Sequence, residues 1–505
     1  MSSPAESSDP RVAADSIARN TLFGLATQLT SAAFTAALTL YLVRALGPSR
    51  YGVFALALGI GVVVVLASDL GITHATERFI AERRGDRGTV AAYLADAFKL
   101  KLAAAAALCG LLLAAAGPIA DAYGEPRLGW PLRAMALAVL GQTMLLLFRG
   151  AFIALGRVSL TWRVTTIESA VEAGASVVLV VAGAGAAGAA WGRAAGYVLG
   201  AGVATLLAIR LLGARAGVTG VATAGRRRQI AAYAGALFVV NAAFVLFEQI
   251  DVLLIGAILS ASAVGLFEAP MRISTFLGYG GQAVAFGVAP RLASQGGERV
   301  DVGAFESALR WLVLVQAALV APVLVWADPL VDLTLGHSYG GSAAVLRTLA
   351  PFVFLSAIAT FVTLSVNYLG EARRRIPLVI GAVLVNLVVD LILIPDVGIT
   401  GGAVGTDIAF ALYVLGHLWI CAELIGYRVL PLLASLARGL AAAGTMAAVL
   451  ASFGTADLGA PALIGGAILG ALAYLAVLVV TRELTARQVR AAPRALASAL
   501  SARAR

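Results

Sequence analysis

Polar positions in this chain come in short clusters, and between the clusters run apolar stretches of about 20 residues. A helix of that length crosses a hydrocarbon core of roughly 30 Å and satisfies its own backbone hydrogen bonds on the way. About fourteen such runs are found, opening with 20–42 and 51–72 and closing with 459–480. The pattern therefore predicts an all-α integral membrane protein with about fourteen transmembrane helices. Two positions matter later. Between the runs 160–183 and 186–208 the only hinge is Gly183 to Gly188, and 343–369 reads as one uninterrupted span.

The runs repeat. A shift of 213 residues lays Gly52-Val53-Phe54 on Gly265-Leu266-Phe267, each opening the second span of a half, and lays Gly185, Gly188, Ala190 and Gly192 on Gly398, Gly401, Ala403 and Gly405. The expected organisation is a cytoplasmic tail (1–19), a first six-helix bundle (20–208), a basic, Gly-rich linker (209–230), a second six-helix bundle (231–425), two additional C-terminal helices (430–480) and a basic tail (481–505). Six crossings per half preserve orientation, so the bundles are expected in a pseudo-twofold relation about the membrane normal. Met1 to Asp15 is polar and acidic and has no cleavable signal pattern, so the first helix is expected to be retained.

Composition agrees with a membrane protein: 60% of the 505 residues are hydrophobic and 13% charged, too apolar for a cytosolic enzyme or a disordered scaffold. The net charge of +10 does not imply nucleic acid, because the basic residues sit in small clusters between spans. Roughly 30 of the 37 Lys and Arg fall on the side of the termini, which the positive-inside rule makes cytoplasmic. The expected location is the plasma (inner) membrane, multi-pass, with both ends inside. Cys109 and Cys421 are too few and too far apart for a disulfide framework or a metal set.

Paired bundles suit alternating access, and a transport site then requires ionisable residues within spans, where each costs about 2.5–3.5 kcal/mol on insertion scales. Cationic cavity candidates are Arg149, Arg163, Arg193 and Arg272, because a guanidinium fork grips phosphate oxygens bidentately. Arg149 and Arg163 have a second reading, snorkelling to the cytoplasmic headgroups. Glu248, Asp251 and Glu268 are candidates for coupling to protons or sodium, although Glu268 and Arg272, four apart, also suit a simple ion pair. Glu168 and Glu172 share one helix face. His417 reads as structural. No catalytic constellation, cofactor motif or metal spacing is expected.

Three stretches resemble the polysaccharide-unit flippases of the multidrug, oligosaccharidyl-lipid and polysaccharide exporter superfamily. One runs from Leu42-Val43-Arg44-Ala45-Leu46-Gly47-Pro48 through Tyr51-Gly52-Val53-Phe54 and Asp69-Leu70-Gly71 to Arg78-Phe79. A second joins Asp251 to Gly256 with Val264 to Phe267 and Pro290-Arg291-Leu292. A third joins Asn367-Tyr368-Leu369-Gly370 to Asn386 and to Ile394-Pro395 with Gly398 to Ala403. The resemblance covers roughly residues 17–425. It implies a transporter that turns polyprenyl-(pyro)phosphate-linked oligosaccharides from the cytoplasmic to the outer leaflet, working beside glycosyltransferases and a polysaccharide polymerase. Alternatives are a multidrug cation antiporter of the same superfamily, which would want an aromatic or acidic cleft, and a lipid II flippase. A membrane polymerase or ligase would need a sizeable external loop, and a pure scaffold would not need charges in so many spans.

Overall fold

The computed structural model describes residues 16–213, 223–288 and 301–484, and every regular element among them is helical. The polar start (1–15), the centre of the expected linker and most of the basic tail lie outside the described residues. Pro290, Arg291 and Leu292 of the second motif lie outside them as well.

Eleven described stretches are long and apolar enough to cross a membrane, and two of these are double-length, at 51 and 55 residues. At 1.5 Å per residue either would extend more than twice the thickness of a hydrocarbon core if straight. Both are broken inside by glycine. Helix α1 (Ile17–Asp69) changes direction at Gly47, where φ is 66° and Pro48 follows. Helices α5 (Val158–Leu179) and α6 (Gly185–Leu212) are separated at Gly183, where φ is 89°. Only a residue without Cβ takes that backbone conformation without strain.

Two features differ from the expectation. The run 343–369 is divided into α11 (Ser342–Thr348) and α12 (Ala350–Tyr368), with Pro351 in the first turn of the second helix. Proline fits a first turn, where its missing N–H leaves no bond unmade, and so it starts a new helix. The segment after Asp69 forms an amphipathic helix, α2 (Ile72–Glu82), which a search for 20-residue apolar runs misses.

Contacts divide the chain into a unit ending at Gly265 and a unit starting at Leu266. In the first, α2, α3 (Arg87–Ala122), α4 (Gly129–Ala154) and α6 enclose a core containing Ile80, Leu94, Leu145, Phe148, Phe152 and Ala204. Helix α7 (Thr223–Ile258) joins it: Arg226 of α7 bonds Asp96 of α3 at 2.8 Å, and Gln229 accepts from the Tyr93 hydroxyl at 2.8 Å. Gly52 and Gly265 meet in this unit. A Cβ on Gly52 would lie 1.7 Å from the Ala261 carbonyl oxygen, and one on Gly265 would lie 2.0 Å from that of Pro48.

In the second unit, α8 (Ala261–Val288) from Leu266 onward, α9 (Val302–Val325), α10 (Ala327–Thr334), α11 and α12 are followed by the hairpin of α13 (Ile376–Val397) and α14 (Ile399–Ile425). The last pair, α15 (Val429–Ser452) and α16 (Ala460–Val480), packs on α9 through Leu314, Ala442, Met446 and Tyr474. The Tyr474 hydroxyl donates to the Leu314 carbonyl at 2.6 Å. Beyond α16 the buried Glu483 accepts from Arg310 of α9 at 2.5 Å and from Ser435 and Arg438 of α15 at 2.6 Å each. The two final helices and α9 are thus tied at one carboxylate.

Candidate functional site

The first unit gathers intramembrane charge in the hairpin of α5 and α6. Gly192, Gly196 and Gly200 recur every four residues and therefore share one face of α6. A Cβ on Gly192 would stand 2.2 Å from Ser176 Oγ, one on Gly196 2.7 Å from Glu172 Cβ, and one on Gly200 2.9 Å from Glu168 Cβ. Small residues at this spacing let two helix backbones approach closely, the packing favoured in lipid. The close approach brings Glu172 within reach of Arg193. Arg193 Nη1 donates to Glu172 Oε1 at 2.6 Å and Nη2 donates to the Tyr197 hydroxyl at 2.8 Å, with the guanidinium 4.8 Å from the Tyr197 ring centre. Glu168, one turn before Glu172, is buried beside them, and Arg149 of α4 lies in electrostatic reach of it. Two guanidiniums and two carboxylates thus lie in one group.

The other sequence candidates are placed elsewhere. Arg163 is exposed near the start of α5, where it lines a cavity of about 340 Å³ with Arg19, Arg157 and Arg210. Glu248 is exposed on α7, and Asp251, one turn on, is buried. In the second unit Arg272 Nη2 pairs with Glu268 Oε1 at 2.5 Å within α8. Arg149 and Arg193 therefore share one cluster, while Arg163 belongs to a different cavity of the same unit. His417 is buried in α14, accepts from Arg375 at 3.1 Å and contacts the Tyr413 carbonyl at 2.7 Å, a holding role for the start of α13.

Sequence reasoning missed the buried ion pair of Lys101 and Asp69. Lys101 is fully buried, and its Nζ donates to Asp69 Oδ1 and Thr73 Oγ1 at 2.5 Å each. Lys101 lies just inside the apolar run that begins at 98 and is not among the intramembrane charges that the sequence singles out. Helix α3 in fact begins at Arg87, which places Lys101 almost four turns inside it. A helix start signal was available: Asp86 caps it, accepting from the Thr89 N–H at 3.1 Å.

The second unit repeats the hairpin construction. A Cβ on Gly405 of α14 would lie 2.0 Å from Asp390 Oδ1 of α13, and one on Gly401 would lie 2.6 Å from the Leu393 backbone. Asp390 is wholly buried and accepts from the Asn386 amide at 3.1 Å. In both units a glycine face of one helix holds a buried acid of its partner.

Residues 41–344, more than half of the chain, match the family described as polysaccharide biosynthesis protein. The chain belongs to the polysaccharide biosynthesis protein family. This family member is 25% identical over 389 residues to a probable low-salt glycan biosynthesis flippase, Agl15, of Haloferax volcanii, with 75% of this chain and 77% of the relative covered. Its fold is that of a lipid II flippase, MurJ, solved in an inward closed conformation (TM-score 0.70, 12% identity, 91% of this chain and 98% of that one). It also matches an inward-facing multidrug resistance MATE transporter of the MOP superfamily (TM-score 0.63, 17% identity, 78% and 94%). The family agrees with the resemblance carried by the turn motifs, and the all-helical membrane class with the expectation drawn from the apolar runs, with eleven spanning stretches among the described residues against about fourteen expected.

Proposed function

We propose that this protein flips polyprenyl-(pyro)phosphate-linked oligosaccharide units from the cytoplasmic to the outer leaflet of the plasma membrane by alternating access, for cell-surface polysaccharide biosynthesis. The observation that carries this reading is the family match over residues 41–344. The glycan flippase relative adds the substrate class, and the flippase and exporter folds add a transport architecture. The two six-helix halves, the cytoplasmic termini and action without catalysis belong to the same proposal. The halves are supported by the repeated hairpins, the termini by the distribution of Lys and Arg, and action without catalysis by the flippase relative.

Arg149, Arg163, Arg193 and Arg272 are proposed as groups that meet the anionic headgroup during passage, and Glu248, Asp251 and Glu268 as acids that couple passage to protons or sodium. The inside-negative potential favours outward movement of the charged head, at about 2.3 kcal/mol per charge for 100 mV. Depleting the protein in cells should cause lipid-linked oligosaccharide to accumulate on the cytoplasmic face, shielded from a glycosidase supplied outside. Unchanged external exposure of the glycolipid after depletion would refute the reading.

A further inference from the structure

The buried side of α5 is its polar side. Thr161, Thr165, Glu168, Glu172 and Ser176 fall within about 80° of the helix circumference and all are buried, while Ile167 and Val178 on the other side are exposed. The lower part of this stripe is satisfied by protein. Ser176 Oγ donates to the Ala189 carbonyl at 3.3 Å, and Glu172 accepts from Arg193 at 2.6 Å. The upper part is not: among the described residues neither Thr161 Oγ1 nor Thr165 Oγ1 has a hydrogen-bond partner, although the residues are only 2% and 1% exposed. A helical threonine ordinarily donates to the carbonyl four residues back, as Thr166 does to Trp162 at 2.8 Å. Two buried hydroxyls turned away from that carbonyl require another partner.

Glu168 is next along the stripe. It is 5% exposed, and the one hydrogen bond it receives among the described residues comes from the Ser169 hydroxyl at 3.2 Å. The charged and titratable groups around it are Glu172 on α5, Arg193 and Tyr197 on α6, and Arg149 on α4; α1 carries no charge between Arg19 and Arg44. The Arg193 fork is committed to Glu172 and Tyr197, and Arg149 acts on Glu168 without an ion pair to it among the described residues. A dry carboxylate beside a second carboxylate and without a direct cation is costly, and a proton removes that cost. The Ser169 hydroxyl can donate or accept, so it suits both forms of the acid.

We infer that Glu168 is a proton-binding site, and that water held by the Thr161 and Thr165 hydroxyls carries the proton to it from the N-terminal end of α5. The cavity of about 340 Å³ lined by Ser159, Leu160 and Arg163 flanks Thr161 and admits the water. Four helical residues rise about 6 Å, close to the span of one water bonded to two hydroxyls, and three residues rise about 4.5 Å, within reach of a Glu side chain. The proton comes from that water, adds to a carboxylate oxygen of Glu168 and leaves by the same route; no other covalent bond changes. Coupling of this proton to glycolipid movement rests on the proposed function, whereas proton binding does not.

The test is infrared difference spectroscopy on the purified full-length protein in lipid, comparing acidic with alkaline buffer, followed by the rate at which the protonated-carboxyl band shifts after a change from ordinary to heavy water. The wild type should show a protonated-carboxyl band that is missing in Glu168→Gln. That variant resembles the protonated acid, so it should also melt no lower than the wild type. Thr161→Val and Thr165→Val keep the shape and remove the hydroxyl; each should retain the band and slow its shift about tenfold, the rate equivalent of one hydrogen bond. Thr165→Ser, which restores the hydroxyl, should recover the fast shift. Where one valine variant does not fold, the other reads the same path. A band that persists unchanged in Glu168→Gln would overturn the proton site, and equal shift rates in the wild type and the valine variants would overturn the path. None of these measurements reads flipping, so the inference fails or stands separately from the proposed function.

Discussion

The Arg193–Glu172 bond is short, and its side chains are only 18% and 12% exposed, so each charge depends on the other for compensation. Removing one partner of such a pair leaves an unbalanced charge, at a cost of about 3–5 kcal/mol, whereas removing both together is far milder. Arg193→Gln is accordingly expected to lower the melting temperature of the purified protein markedly, and Arg193→Gln with Glu172→Gln to restore most of it. A double variant as unstable as the single one would show that the pair contributes no compensation. If Arg193 also meets the substrate headgroup, the double variant remains slow in glycolipid translocation although it is folded. The sequence made one part of this cluster legible: Glu168 and Glu172, four apart, had to share a face. It could not show Arg193 as the partner, since that depends on how closely α5 and α6 approach. The pairing of Lys101 with Asp69 was hidden for the same reason, as two residues 32 apart in sequence meet only after α1 and α3 pack.

At the level of elements, the apolar runs located the long helices well, because lipid forces each spanning segment to be both apolar and helical. What the runs obscured were breaks and short pieces: Pro351 starting α12, and the amphipathic α2 lying between spans. The glycine turns that suggested a repeat proved to be sites of close approach, Gly52 against the Ala261 carbonyl and Gly405 against Asp390. The attachment of α15 and α16 had no signal in the sequence, because Glu483 meets Arg310 from 173 residues away. Burial alone would raise the Glu483 carboxyl, but hydrogen bonds from Ser435, Arg438 and Arg310 outweigh it and hold the group below its ordinary range. A carboxylate with a lowered folded pKa stabilises the protein above its unfolded value, about 4.3 for Glu, and that stability is lost as pH falls through the folded value. Glu483→Gln should therefore melt lower than the wild type at pH 7, with the difference shrinking as the pH is taken below about 4. A difference that does not change with pH would contradict this role for the carboxylate.

For the whole molecule, family membership and fold were both within reach of the sequence. Turn motifs such as Gly47-Pro48 and Gly398 to Ala403 constrain the backbone, and backbone constraints survive where side-chain contacts diverge. The chemistry of the cargo was less legible. A phosphate-gripping surface needs guanidiniums gathered in space, and the two gatherings in the first unit draw on positions as distant as Arg19 and Arg210. The most direct test is reconstitution of the purified protein into sealed vesicles loaded with a fluorescent polyprenyl-diphosphate oligosaccharide, followed by its exposure to an added glycosidase. Protein-dependent exposure, faster under a potential that drives anions across and absent in empty vesicles, is the predicted result. Exposure no faster than in empty vesicles, from protein that is folded and transports a cationic drug instead, would contradict the account.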